Sequence, residues 1–128
     1  MFKGCTSLTT APELLATTLA YSCCDSMFYG CTSLKTAPSI LPATTLTYAC
    51  YQSMFEGCTS LTIAPELPAT TLSQICYNSM FADCSNLSYI KALFTTKPTS
   101  GYTLGWVYNV AASGVFIKNN NATWDVTG

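Results

Sequence analysis

The sequence predicts an α/β solenoid, with one short strand and one short helix per coil of 26 to 27 residues and a non-repeating cap at its C-terminal end. Three observations predict it. The dipeptide MF recurs at Met1, Met27, Met54 and Met80, "GCTSL" recurs at residues 4–8, 30–34 and 57–61, and "ATTL" closes at Leu19, Leu46 and Leu72. A fixed period in the twenties marks a chain whose units bury their apolar faces only against one another.

The helix is predicted from a stripe. Leu19, Cys23, Met27, Phe28 and Cys31 fall at steps of zero, four, eight, nine and twelve, and the same steps run from Leu46 to Cys58 and from Leu72 to Cys84. Paired threonines precede each stripe, at Thr17-Thr18, Thr44-Thr45 and Thr70-Thr71, where they would cap free N–H groups. Gly30 and Gly57 follow where a helix would stop. The other half of each unit, "SLTTAPEL" or its variants, contains a proline that breaks helices and reads as a short strand and a turn. Stacked strands would form a parallel ladder with roughly 4.8 Å between coils. "APSILPATTL" carries one residue more than "APELPATTL", and this insertion is expected on the outside of a coil.

The organisation divides at residue 87. Residues 1–87 form the repeats, with units starting at Met1, Met27, Met54 and Met80, and residues 88–128 read as a capping segment that holds both tryptophans, Trp106 and Trp124. An aromatic pocket around Trp106, Tyr108 and Phe116 is an alternative reading of that segment. Met1 stands in the column of the later MF methionines, so the first half of its unit is missing and the chain reads as a fragment.

Composition excludes several functions. Five lysines, no arginine and no histidine leave no basic patch for a phosphate backbone, so nucleic acid is not an expected partner. The apolar runs are far too short for a membrane span, and no signal peptide is visible. Without histidine, a nucleophilic serine or cysteine lacks its usual base. The carboxylates Glu13, Asp25, Glu56, Glu66, Asp83 and Asp125 read as surface charge rather than a glycosidic pair. No glycine-rich phosphate loop occurs, and no cofactor is expected. Asn86 and Asn121 each begin an N-glycosylation triplet.

Seven of the eight cysteines lie in two columns: Cys5, Cys31, Cys58 and Cys84, then Cys23, Cys50 and Cys76. Cys24 stands where the later units have Tyr51 and Tyr77. The columns read as buried thiols that fill a narrow core. Disulfides between coils are the competing reading, and zinc is disfavoured by the absence of histidine and of a CxxC pair.

The "MFxGCTSL" run, the leucine three residues after its cysteine and the period resemble the BspA-like branch of leucine-rich repeat proteins, over residues 1–87. The pattern LxxLxLxxN is matched poorly, since Leu8 is followed by Thr9-Thr10-Ala11-Pro12. The resemblance implies a leucine-rich-repeat-type solenoid that is secreted or displayed on a cell surface, where it binds a protein or cell-surface ligand without catalysis. A structural spacer or stalk, or a phage tail or fibre component, is the alternative.

A partner face is expected where the units differ, because the invariant columns are those packing needs. The candidate residues are Thr9, Thr10 and Glu13; Lys35, Thr36 and Ser39; Thr62, Ile63 and Glu66; and Ser88 with Tyr89. A further variable column holds Lys3, Tyr29, Glu56 and Ala82.

Overall fold

A computed structural model describes residues 2–95 and 101–122. Met1, Trp124, Asp125 and the last residue of the Asn121 triplet lie outside the described residues. Two strands are present, β1 (Tyr89–Ala92) and β2 (Val115–Lys118), paired in parallel with Tyr89 opposite Val115 and Ala92 opposite Lys118. Single parallel bridges join Thr10 to Thr36, Ile40 to Glu66, Thr45 to Thr71, Ile63 to Tyr89 and Leu67 to Ala92. The partners stand 25 or 26 residues apart, so each repeat lies as a layer against the next.

Among the described residues there is no helix, and the three stripes read as helices are ladders of turns. In residues 20–31 the N–H groups of Cys23, Asp25, Met27, Tyr29 and Cys31 each donate to the carbonyl three residues back, at 3.1–3.3 Å. The intervening N–H groups leave the layer: Ser22, Cys24, Ser26, Phe28 and Gly30 donate to Tyr48, Cys50, Gln52, Met54 and Glu56, at 2.8–3.0 Å. A helix directs every N–H along its own axis. Here half of them join neighbouring layers.

The backbone supports this with a left-handed residue at every fourth position. Ser22, Ser26 and Gly30 have φ of 54°, 55° and 70°, and Ala49, Ser53 and Gly57 have 53°, 50° and 78°. Each occupies the third place of a four-residue turn, where a type II turn requires positive φ. Such a conformation costs a non-glycine residue roughly 1–2 kcal/mol. The interlayer hydrogen bonds offset that cost. Gly30 and Gly57 are therefore not helix stops but the last left-handed positions of their ladders.

A strict step of four distinguishes the two structures. In an α-helix each such step rotates a side chain by about 40°, so three steps spread the stripe over about 120°. In the turn ladder the same residues remain in one column. Nor do the paired threonines cap helices: Thr45 pairs with Thr71, and the carbonyl of Thr44 accepts from the N–H groups of Thr70 and Thr71. The extra residue, Ile40, lies within a ladder rather than on an outer loop. Glu66 donates its N–H to the Ser39 carbonyl and accepts from the Leu41 N–H, the regular pair of bonds of a parallel bridge between Ile40 and Glu66.

The core is a set of stacked columns. Phe2, Phe28, Phe55 and Phe81 stack with ring centroids 5.3–5.7 Å apart and planes within 11°. Each such pair contributes about 0.5–1.5 kcal/mol beyond burial. Tyr51 and Tyr77 form a second column, which ends on Trp106 at 5.7 Å. The segment expected not to repeat retains the period in its backbone. Tyr77, Ser79, Phe81 and Asp83 donate to Tyr102, Leu104, Trp106 and Tyr108, and Gly101, Gly105 and Asn109 carry positive φ in the columns of Ile75, Ser79 and Asp83.

Candidate functional site

The variable columns come together as two neighbouring strips of one ladder. Thr10 pairs with Thr36, Ile63 pairs with Tyr89, and Tyr89 pairs with Val115. The Thr9 carbonyl accepts from the N–H groups of Lys35 and Thr36, and that of Thr62 accepts from Ser88. Parallel pairing places equivalent residues of successive layers side by side, so the first strip consists of Thr9-Thr10, Lys35-Thr36, Thr62-Ile63 and Ser88-Tyr89. Most of it is exposed, and its apolar members are Ile63, 59% exposed, and Val115, 56% exposed. Val115 was missed in the sequence, although one period counted on from Tyr89 reaches it.

The second strip is polar and already self-paired. The Glu13 carboxylate accepts from the Ser39 N–H at 3.0 and 3.1 Å and from its hydroxyl at 3.0 Å. Glu66 meets Lys91 at 3.2 Å, with both side chains about one-third exposed. An exposed pair of this kind contributes only about 0–1 kcal/mol. Lys91 was also missed, since it falls beyond the repeats. In the remaining variable column, the Lys3 ammonium sits 5.0 Å from the centre of the Tyr29 ring.

The C-terminal part holds an apolar cavity of about 260 Å³. Leu87, Ile90, Val107, Val110 and Phe116 line it, together with the backbone around Gly114. Of the three residues expected around an aromatic pocket, only Phe116 does so. Trp106 is buried in the core at 1% exposure and Tyr108 faces solvent. Gly114 lines the cavity beside Ser88. A Cβ there would overlap the Ser88 carbonyl oxygen and lie 2.8 Å from its carbon and Cα, so only glycine permits the approach.

The eight cysteines are free thiols. Cys31, Cys58 and Cys84 donate through Sγ to the carbonyls of Phe2, Phe28 and Phe55, at 3.0–3.1 Å. Burial raises Cys50 to about 11 and Cys76 and Cys84 to about 12, and it raises Cys58 further still. These thiols are held protonated, which removes nucleophilicity and ligand character at neutral pH. Among the described residues no group of three or more histidine, cysteine, aspartate or glutamate side chains is placed to hold a metal ion, and no helix is long and apolar enough to cross a membrane. The carboxylates have local partners: Asp25 accepts from the Ser26 hydroxyl and Asp83 from the Asn109 amide.

Comparisons with protein-family profiles, with curated proteins and with solved structures find no match of any of the three kinds.

Proposed function

We propose that the chain is a non-catalytic, solenoid-type repeat module that binds a protein or cell-surface ligand through the strip running from Thr9-Thr10 to Val115, and that it works outside the cell or on its surface. The observation that carries this reading is the juxtaposition of the variable columns. Positions that differ between units lie side by side on exposed ladders, Thr10 beside Thr36 and Ile63 beside Tyr89 and Val115, whereas the shared phenylalanine, leucine and cysteine columns are largely buried. The resemblance to BspA-like repeats supports the surface location. A non-catalytic role is supported by a chain without histidine and by core thiols held protonated.

A spacer or stalk role, or a place in a phage fibre, is the second reading. The near-identity of the "MFxGCTSL" copies and the uninterrupted phenylalanine stack favour it, since a stiff rod needs regular layers rather than a tuned face. Adhesion of beads coated with the chain to cultured epithelial cells separates the two. Under the binding reading Ile63→Glu combined with Tyr89→Ala abolishes adhesion while circular dichroism is unchanged. A spacer gives equal, background adhesion for both proteins.

A further inference from the structure

The cavity beside Gly114 has a cause in the repeat itself. Tyr89 pairs with Val115, so Ser113 stands in the column of Leu34, Leu61 and Leu87. Each of those leucines is fully buried and fills its own layer. Phe28 donates its N–H to Met54, Phe55 to Met80 and Phe81 to Trp106, which places Val107 in the phenylalanine column. A serine for a leucine and a valine for a phenylalanine remove volume from two packing columns of one layer. Ser113 and Val107 both line the cavity, so its space follows from side chains within that layer.

The walls are tied down and apolar. Ala111 donates its N–H to the Leu87 carbonyl at 3.1 Å and Val115 to the Ser88 carbonyl at 2.7 Å. These bonds hold residues 111–115 to the preceding layer and occupy both acceptors. Leu87, Ile90, Val107, Val110 and Phe116 supply carbon, none of the lining residues is charged, and Ser88 and Ser113 bring the hydroxyls. Such walls give water few partners and favour hydrocarbon. Unfilled space in a core costs stability that grows with its volume, so an occupant that fits is bound and stabilises the fold.

We propose that this cavity is a binding site for a small uncharged hydrocarbon, one aromatic ring with a short branched tail. Its volume of about 260 Å³ lies between the roughly 150 Å³ that takes benzene and the roughly 300 Å³ at which drug-sized sites begin. The tail takes the place that leucine holds in the earlier layers, and the ring packs against Val110 and Phe116. A charged ligand is rejected, because no lining residue would compensate its desolvation. Val115 borders both regions, but this site does not rest on binding at the side face proposed above.

The test titrates isobutylbenzene into the full chain and follows the carbon-13 methyl resonances by NMR. Saturable shifts are expected at Leu87, Ile90, Val107 and Val110, with Leu34 and Leu41 unmoved, together with a raised urea midpoint. The charged analogue 4-isobutylbenzoate should bind at least tenfold more weakly. Ser113→Leu supplies the tail from the chain itself, so it should raise the midpoint without ligand and weaken isobutylbenzene binding at least tenfold. Val107→Phe gives the same readout through the second column if Ser113→Leu does not fold. Three results would overturn the proposal: no saturable shift in the parent chain, equal binding of the benzoate, or unchanged binding in a folded filling variant.

Discussion

The Cys58 thiol donates to the carbonyl of Phe28, 3.1 Å away in the preceding layer, and the same oxygen accepts the N–H of Cys31. Both lone pairs of one buried carbonyl are thereby used, one by the turn and one by the neighbouring layer. Phe2 and Phe55 are satisfied in the same way by Cys31 and Cys84. A cysteine in this column is more than apolar filler, because it supplies a donor where a buried acceptor would otherwise be left over. Alkylation of the native protein should modify Cys23 within minutes and leave Cys58, Cys76 and Cys84 unmodified until denaturant is added. Cys58→Ala should cost about 1–3 kcal/mol in urea unfolding. Rapid native labelling of Cys58 would refute the buried column.

Ser53 tests the turn ladder against the helix. Its φ is 50° and its N–H donates to the Asn78 carbonyl at 2.9 Å. In the left-handed region glycine is the most tolerant residue and a β-branched side chain the least. Ser53→Gly should leave stability within about 0.5 kcal/mol of the parent, and Ser53→Val should cost about 2 kcal/mol or more. A helix reverses the order, since glycine there is the worse residue. The ranking of the two urea midpoints decides between the structures.

The period was legible in the sequence because every layer repeats its packing columns. Thr10 and Thr36, or Ile63 and Tyr89, could be placed side by side by counting alone. What filled the period was not legible from the apolar stripe. Steps of four and of 3.6 diverge slowly over twelve residues, so Leu19, Cys23, Met27 and Cys31 suit both a helix and a ladder of turns. The signal that separates them lay in the small residues: Ser22, Ser26 and Gly30, then Ala49, Ser53 and Gly57, fall at every fourth position. Continuation past Ser88 was hidden for a related reason. Gly101, Gly105 and Asn109 keep the backbone pattern, but Trp106 and Val107 replace the MF dipeptide that marked it. Of the candidate face, the columns were legible, whereas Lys91 and Val115 lay in the segment expected to break the period.

Gly114 is predicted to tolerate no side chain. An added Cβ would meet backbone atoms of Ser88 rather than a flexible side chain, and Val115 donates its N–H to that same Ser88 carbonyl at 2.7 Å. Gly114→Ala must push β2 away from β1. A loss of about 1–3 kcal/mol is expected, with a changed near-ultraviolet signal from Trp106, whose ring stands 5.9 Å from Phe116. An unchanged unfolding midpoint would show that the two strands do not lie this close.

Tyr77 offers a gain instead of a loss. Among the described residues its hydroxyl is buried without a hydrogen-bond partner, while its ring packs against Tyr51, Phe94 and Trp106. Leaving a buried hydroxyl unpaired costs about 1–3 kcal/mol. Tyr77→Phe keeps the ring and removes the cost, so it should raise stability by about 1 kcal/mol or more. A destabilised variant would mean that the hydroxyl is satisfied in solution.

The buried thiols give the fold an alkaline limit. Burial is the largest cause of each shift, and it lifts Cys50, Cys76 and Cys84 from 9.0 to about 11 or 12 in the folded chain. A group whose folded pKa is raised binds its proton more tightly in the native state. Its contribution to stability is fully present below the unfolded value of 9.0 and is lost as pH rises from there through the folded value. Each such thiol adds a slope of up to about 1.4 kcal/mol per pH unit in that window. Urea midpoints should therefore be level from pH 7 to 8.5 and fall steeply between 9 and 11. Cys50→Ala and Cys76→Ala together should flatten the fall while lowering the plateau. If the midpoint is as high at pH 10.5 as at pH 8, the thiols are not buried as described and the interlayer columns lack the dry core assigned to them.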